Sequence, residues 1–373
     1  MGSTDTIRWG IVGTGMMALE HVANIQLLGG GTITAIADPV PACLDRAEKA
    51  IGHAVARFPD AAALAASGLC DAVVVASPNF THRAVLGPLM DAGLHILCEK
   101  PLATTLDDAK AVAAAVKGYD KSFWTAMEYR FMPPVSEFVR HVHDGKVGKL
   151  QMLSIREHRF PFLVKVGDWN RFSVNTGGTM VEKCCHFFDL MRHIVQAEPV
   201  RVYCSGNMDV NHRDERYDGK TPDIIDNSYT VVDFANGVRA MLDLCMFADG
   251  AEQQEEILAT GDQARLDVLI PAGDIIHSPR VGFMNPKQAT RWHVETPADA
   301  LAAGQHHGST FFQHRHFAAA VRGEGPVIVS ADDGMRAVAI GLAAEISARE
   351  HRVVTMAELG LIVLKNPALR QAL

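Results

Sequence analysis

Short apolar segments alternate with longer segments of helical periodicity over the first third of the chain. The apolar segments, which predict buried strands, are 7–12, 33–37, 72–76, 95–98 and 123–127. The segments that predict helices between them are 41–51, 60–66, 83–92 and 106–116. Continuous apolar strands separated by helices are typical of a parallel sheet that is covered on both faces. The pattern therefore predicts an α/β domain with a doubly wound parallel sheet over residues 1–127.

After residue 127 the pattern changes to strands that follow one another. The predicted strands are 150–156, 201–205, 228–234, 238–246, 256–259 and 264–269. A hairpin is expected at Asn236-Gly237, because Asn-Gly favours the tight turn between two strands. Helices are expected at 134–143, 179–195, 311–321 and 334–349. This predicts a second α/β domain, 128–373, with a large, open, mostly antiparallel sheet, and its last helix is expected to pack back on the first domain.

Length, charge and cysteine content exclude several classes of protein. The 373 residues are enough for two domains of about 100–200 residues. The formal net charge is −8 and no long basic run occurs, which argues against a nucleic-acid partner. No apolar run approaches the roughly 20 residues of a membrane span, and the N-terminus lacks a signal-peptide pattern. Seven scattered cysteines favour reduced thiols and hence a cytoplasmic protein, while the lack of an apolar span argues against a membrane partner.

A glycine-rich segment, G-I-V-G-T-G-M-M-A at 10–18, ends the first strand and opens a helix. Gly13 permits a tight turn, Gly15 lets the backbone approach a pyrophosphate, and Ala18 allows close helix packing. Asp38 ends the second strand at the spacing where a carboxylate binds the adenosine ribose and repels a 2′-phosphate. With Pro39 next to it, we expect a Rossmann domain that binds NAD rather than NADP. The alternatives are a glycine loop without a ligand and, for Asp38, a helix N-cap.

Further motifs identify a resemblance to a known family. They are Pro78-Asn79-x-x-His82, Ala92-Gly93, Glu99-Lys100-Pro101, Tyr129-Arg130-Phe131, Gly177-Gly178 and S-A-x-E-x-R-x-V at 347–353. In this order they resemble the Gfo/Idh/MocA family, the glucose–fructose oxidoreductases and inositol dehydrogenases. The resemblance implies a Rossmann domain, a second domain built on a large open sheet, and sugar, cyclitol or related hydroxy substrates. It also implies a homodimer or homotetramer formed through the open face of that sheet.

The resemblance also implies which residues perform the chemistry. The lysine of Glu-Lys-Pro, Lys100, reaches the active site, and an aspartate and a histidine four residues apart correspond to Glu182 and His186. Because Glu182 stands where the family usually has aspartate, the resemblance does not identify the substrate. Alcohol oxidation needs a base for the hydroxyl proton, and histidine, with a pKa near 6.5, suits it. Lys100 either accepts a proton, once burial and the nicotinamide lower its pKa, or binds the substrate oxygens in its charged form.

The segment V-E-K-C-C-H, at 181–186, has other interpretations. Adjacent cysteines lack the spacing of zinc ligands, so no metal is predicted, and Cys184 and Cys185 are expected to pack in the core. A structural helix with a core histidine is the alternative to an active site, and Lys183 is given no role. A cis peptide bond between Lys100 and Pro101 is a further hypothesis.

The remaining site predictions fall into two sets. Those for cofactor binding are Gly13, Thr14, Gly15, Met16, Met17, Asp38, Ser77, Pro78, Asn79, His82, Glu99 and Lys100. Those for substrate binding are Tyr129, Arg130, His158, Trp169, Arg171, Asn175 and His307. The predicted function is an NAD-dependent dehydrogenase that oxidises a secondary hydroxyl of a sugar, cyclitol or glycoside. The alternatives are a glycosidase that retains NAD, a keto-sugar reductase, and a non-catalytic NAD-binding sensor.

Overall fold

The structure, a computed structural model, describes residues 6–361, and six parallel strands form its first sheet. These strands are β1 (Ile7–Val12), β2 (Gly31–Ala37), β3 (Ala56–Phe58), β4 (Ala72–Val75), β5 (His95–Cys98) and β6 (Phe123–Thr125). Their spatial order is β3-β2-β1-β4-β5-β6, the order of a Rossmann domain. The order reverses between β1 and β4, so a ligand site is expected at the carboxyl ends of these two strands.

Helices cover both faces of this sheet and match the sequence pattern. They are α1 (Met16–Leu28), α2 (Pro41–Ile51), α3 (Ala61–Ala66), α4 (His82–Asp91) and α5 (Leu106–Val116). All four residues of β4 are buried, as expected of a strand covered on two sides. The predicted strands of this part are confirmed; β3, which is short and half exposed, was missed because its polar Arg57 hides the apolar pattern.

The second sheet has nine strands. They are β7 (Leu150–His158), β8 (Pro199–Asn207), β9 (Asn227–Phe234), β10 (Arg239–Cys245), β11 (Glu255–Gly261), β12 (Ala264–Ile270), β13 (Asp274–Pro279), β14 (Thr290–His293) and β15 (Val354–Thr355). Their order is β14-β13-β12-β11-β7-β10-β9-β8-β15, and only the central pair β7–β10 is parallel. The prediction of a large, mostly antiparallel sheet is therefore confirmed.

The remaining helices pack on one face of this sheet or return to the first. They are α6 (Pro133–His143), α7 (Ser173–Thr176), α8 (Thr179–Glu182), α9 (Cys185–Val195), α10 (Ala298–Ala302), α11 (Ser309–Val321) and α12 (Ala331–Glu350). Phe317 of α11 shares a core with Trp9 and Ile11, while Met335 and Val338 of α12 pack with the strands of the first sheet. The domain boundary at 127 stays a prediction, and the C-terminal helices join the two sheets.

The single helix predicted at 179–195 is wrong, because the structure divides it into α8 and α9. The carbonyl of Thr179 accepts both the ordinary bond from Lys183 N and a second one from Cys184 N, at 3.0 and 3.2 Å. The hydrogen-bond ladder then restarts at the carbonyl of Cys184. In this irregular turn, the side chain of Lys183 points into the protein. A regular helix would direct the side chain at this position to a different side.

No helix within residues 6–361 is long and apolar enough to cross a membrane. The cysteines are all free, and the described residues hold no group of three or more His, Cys, Asp or Glu side chains placed to bind a metal ion.

Candidate active site

The turn between β1 and α1 has the form that a pyrophosphate needs. Gly13 has a φ of 81°, and a Cβ atom there would lie 2.4 Å from Cα of Ser77, so no side chain fits. A Cβ atom on Gly15 would instead have no atom within 4 Å. This open space lies at the N-terminus of the 13-residue helix α1, which starts at Met16. The backbone N–H groups and the helix dipole there fit a dinucleotide phosphate.

Asp38 lies at the end of β2, where the ribose of a bound dinucleotide is expected. Its Oδ2 accepts hydrogen bonds from the backbone N–H and the hydroxyl of Thr14, at 2.7 and 3.1 Å. Its Oδ1 accepts from the N–H of Val40, which is itself the N-cap residue of α2. Asp38 thus fixes the glycine turn against the end of β2, and its carboxylate stays half-buried at the rim of the site.

Two of the predicted cofactor residues, Asn79 and His82, follow β4, and their hydrogen-bonding environments differ. The side-chain amide nitrogen of Asn79 is buried and has no hydrogen-bond partner among the described residues, which leaves a donor for a ligand. His82 is fully buried, with its ring nitrogens 2.8 Å from the carbonyl of Pro101 and 3.1 Å from that of Ser77. His82 therefore connects the two loops, and the structure does not bring it to the ligand space.

Lys100 enters the site from the loop after β5, and the bond to Pro101 is cis, as hypothesised. Its ammonium donates to the backbone carbonyl of Glu182 at 3.3 Å. Burial opposes the charge, but the surroundings of Lys100, which include the thiol of Cys185 and the carboxylates of Glu99 and Glu128, raise its pKa above the ordinary value. Of the two forms left open by the sequence, the structure favours the charged donor.

His186, at the start of α9, is almost completely buried. Its Nε2 lies 3.5 Å from a carboxylate oxygen of Glu128, and its ring stacks on Tyr129 with centroids 4.2 Å apart and planes inclined by 7°. Burial, followed by the charges of Lys100 and Lys183, lowers the pKa of His186 well below its ordinary value. The imidazole is thus held neutral, with its Nδ1 free of any hydrogen-bond partner in the described part of the chain.

The carboxylate of Glu182 does not contact His186, as a regular four-residue spacing would have allowed. One of its oxygens accepts from Lys165 at 3.0 Å, and the other is buried without a partner within residues 6–361. Lys165 belongs to the long loop after β7 and lies 4.5 Å above the ring of Trp169. Trp169 in turn packs edge-on against Phe80 of the first domain, so this loop spans the entrance between the domains.

Two substrate-binding predictions do not agree with the structure. His158 points to the open face of the second sheet, where its Nε2 lies 3.1 Å from Asp243. Alternate residues of a strand face opposite sides, so the preceding residue, Glu157, faces the site instead. Arg130 is bound by Asp189 and lies 3.5 Å from Asp333, away from His186.

The other predicted substrate-binding residues lie at different distances from Lys100 and His186. Arg171 is buried and bound to Glu215 at 3.0 Å, so it holds the loop in place. Asn175 donates to the carbonyl of Trp169. His307 lies 3.9 Å from the buried carboxylate of Glu255, on the inner side of the sheet. Tyr129 stacks on His186, and its role in substrate binding stays a prediction.

Several ionisable residues of the site escaped the sequence analysis. The buried ones are His21, Glu128, Glu157, Lys183 and Glu255, and the partly buried ones are Glu20 and Lys165. His306 approaches Glu20 of α1 at 2.8 Å, and His21 approaches Glu99 at 3.0 Å. A signal existed for Glu157, since it occupies an inward position of an alternating strand. The other residues lie outside strong periodic patterns, so only the tertiary structure shows that they lie close together.

Replacing Gly15 by valine is expected to remove NADH binding while the fold is kept. The side chain would extend into space that no other part of the described chain occupies, and the backbone φ of −76° accepts any residue. We expect the dissociation constant for NADH to rise at least about tenfold, measured by fluorescence titration. Gly118→Val, an open and exposed position after α5 and away from the turn, is the control. Unchanged affinity in Gly15→Val would contradict the placement of the phosphates.

Comparison with known proteins agrees with this geometry. Residues 7–127 match the family description "Oxidoreductase family, NAD-binding Rossmann fold", and residues 139–356 match "Oxidoreductase family, C-terminal alpha/beta domain". The chain is 26% identical over 360 residues to myo-inositol 2-dehydrogenase of Thermotoga maritima, covering 94% of this chain and 99% of that protein. It is also 26% identical over 361 residues to inositol 2-dehydrogenase of Rhizobium meliloti, covering 94% and 100% of the two chains.

Among solved structures, levoglucosan dehydrogenase in complex with NADH superimposes with a TM-score of 0.81. The superposition covers 94% of this chain and 99% of that one at 20% identity, and so it speaks for the fold alone. The two family matches span most of the chain and both of its sheets. The protein belongs to the Gfo/Idh/MocA oxidoreductase family and carries that family's NAD-binding Rossmann domain.

Proposed function

We propose that this protein is an NAD-dependent dehydrogenase that oxidises a secondary hydroxyl of a neutral sugar or cyclitol. The observation that carries the proposal is that Lys100, from the nucleotide-binding domain, donates to the carbonyl of Glu182, in the turn of the second domain that leads to His186. His186 is buried and Lys100 is half-buried, and the charge of Lys100 is among the causes that lower the pKa of His186. The relatives named inositol 2-dehydrogenases favour a cyclitol among these substrates.

The two groups divide the work in alcohol oxidation. When bound, NAD supplies the nicotinamide ring that accepts the hydride. Lys100, in its charged form, donates a hydrogen bond to the substrate oxygen and stabilises the negative charge that develops as the hydroxyl proton leaves. The carboxylate of Glu128 favours the proton on Nε2 of His186, which leaves the lone pair of Nδ1 to accept the hydroxyl proton.

Unpartnered carboxylate oxygens support a neutral, hydroxyl-rich substrate. Both oxygens of Glu128 and one oxygen of Glu182 are buried without hydrogen bonds among the described residues. Buried acceptors of this kind are costly unless a ligand supplies donors, and a polyol supplies one at each hydroxyl. A phosphorylated or carboxylated sugar would be repelled by the same carboxylates. Burial raises the pKa of Glu128 to about 7, so its charge changes near neutrality.

A panel assay tests the proposal. Purified protein is incubated with NAD or NADP and with inositols, aldoses and glycosides, and NADH is followed by absorbance. We expect NADH formation with at least one neutral polyol and preference for NAD over NADP. Hydrolysis of a glycoside without net NADH would identify the NAD-retaining glycosidase instead, and activity only with a keto-sugar and NADH would identify the reductase. No turnover in any assay would overturn the proposal.

We further propose that the open face of the second sheet joins copies of the chain. Tyr203, Val231 and Met241 lie side by side across β8, β9 and β10 and are each more than one third exposed. Val231→Lys places a positive charge on this face. We therefore expect the molar mass measured by light scattering to fall from that of the oligomer to that of a smaller species. Val327→Lys, at an exposed valine between α11 and α12 and outside the sheet, is the control. A monomeric wild type would contradict the proposal.

A further inference from the structure

A buried amine lies beside the proposed base, in the irregular turn between α8 and α9. The Nζ of Lys183 is 2.6 Å from the phenol oxygen of Tyr129 and 3.0 Å from a carboxylate oxygen of Glu157. It also lies 4.7 Å from the centre of the Tyr129 ring. Only 4% of Lys183 is exposed, so this ammonium has given up its water and must be held by these groups.

The phenol ring connects this amine to the imidazole of His186. Tyr129 stacks face to face on His186, at 4.2 Å and 7°, while its hydroxyl is held by Lys183. A ring fixed at its far end leaves the stacked imidazole little freedom to tilt. Amine, phenol and imidazole therefore form one contact chain that ends at the group proposed to take the substrate proton.

Two buried glutamates explain why a positively charged amine is stable at this position. Glu157 of β7 and Glu255 of β11 lie directly opposite each other in the second sheet, and both are buried. Like charges in a cross-strand pair are destabilising, and burial makes them more so. Burial and the charge of Glu157 raise the pKa of Glu255 to about 8, so Glu255 holds its proton at neutral pH. Lys183 and Arg159, the latter 3.5 Å from Glu157, offset the remaining charge.

We propose that Lys183 is a positioning residue that acts on His186 through Tyr129. The inference rests on the proposed function, in which His186 is the base. Lys183 fixes the plane of the phenol ring, and its charge keeps the imidazole neutral and ready to accept a proton. After burial and Lys100, the charge of Lys183 is the next cause that lowers the pKa of His186.

Other charged groups around His186 also affect its pKa, and a test that varies the pH must account for them. Glu128, from the turn after β6, faces Nε2 at 3.5 Å, and Lys100 approaches from the loop after β5. His306, before α11, and Arg159, after β7, also lower the pKa of His186. Burial raises the pKa of Glu128 to about 7, and Glu128 lies beside His186, so the acid limb of activity belongs to the cluster. Removing one positive charge must still move that limb to higher pH.

The experiment follows His186 directly and also through activity. Histidine labelled at Cε1 is titrated by NMR in wild type, Lys183→Met and Lys183→Arg, and the His186 signal is identified by its loss in His186→Asn. We expect the midpoint of His186 to rise in Lys183→Met by on the order of one pH unit and to recover in Lys183→Arg. The acid limb of kcat/KM is expected to move in the same direction. Lys149→Met removes the same charge from an exposed position and is the control.

Tyr129→Phe supplies an independent variant that keeps the ring and removes the hydroxyl. If Lys183 acts through that hydroxyl, the double variant Lys183→Met/Tyr129→Phe loses no more kcat/KM than the worse single variant. Additive losses, an unchanged His186 midpoint in Lys183→Met, or an equal shift in Lys149→Met would each overturn the inference. A shifted His186 signal in a protein that oxidises no polyol would contradict the proposed function and leave the action of Lys183 on His186 intact.

Discussion

Replacing Lys100 by methionine is expected to lower kcat/KM for polyol oxidation by about 10²–10⁴-fold. Methionine keeps much of the length and apolar stem of the side chain but removes the only ammonium that donates to the carbonyl of Glu182 among the described residues. It also removes the positive charge that stabilises the developing alkoxide. Because this stabilisation is needed in the transition state, the loss should appear mainly in kcat.

The control for Lys100 must separate chemistry from folding and from cofactor binding. Lys117→Met removes the same charge from an exposed position at the end of α5 and should leave kcat/KM unchanged. Lys100→Met leaves Glu99 and Glu128 without the cation beside them, so the thermal unfolding and NADH affinity of the variant are measured alongside. A folded variant that binds NADH and retains more than about a tenth of wild-type kcat would remove Lys100 from the proposed mechanism.

The hydrophobic pattern predicted the two sheets because each strand interior is decided locally. Residues 72–75 are apolar throughout and form a buried parallel strand, while the segments around Asn236-Gly237 alternate and form a hairpin. Short or edge strands such as β3 and β14 carry charged residues and have little buried area, so no comparable pattern marks them. The parallel contact between β7 and β10 is set by the packing of the whole sheet, which no local pattern records.

The site was predictable only where a motif fixes the backbone. Gly13 and Lys100 could be proposed because turn geometry and the Glu-Lys-Pro segment leave few alternatives, and their roles stay predictions. His158 was misplaced because a shift of one residue reverses the face of a strand. The irregular turn between α8 and α9 could not be foreseen, and with it the inward position of Lys183 was missed. Arg130 is attracted by Asp189, a contact 59 residues away that the sequence does not display.

Replacing His186 by asparagine is expected to lower kcat by about 10²–10⁴-fold, since the substrate proton loses its acceptor. Asparagine fills part of the same buried space beside Tyr129 and stays uncharged, so NADH binding should persist. In the wild type, burial and the charges of Lys100 and Lys183 lower the pKa of His186. The imidazole is therefore protonated, and activity lost, only as the pH falls below its ordinary value of about 6.5.

The pH profile separates this role from a structural one. In His186→Asn, the residual activity should no longer follow the wild-type acid limb, and any limb that remains near neutrality belongs to Glu128, whose pKa is about 7. His351→Asn, at an exposed left-handed position that asparagine accepts, is the matched control and should keep both rate and profile. A wild-type acid limb that survives unchanged in His186→Asn would show that another group takes the proton. Glu128, 3.5 Å from Nε2, is then the first residue to replace.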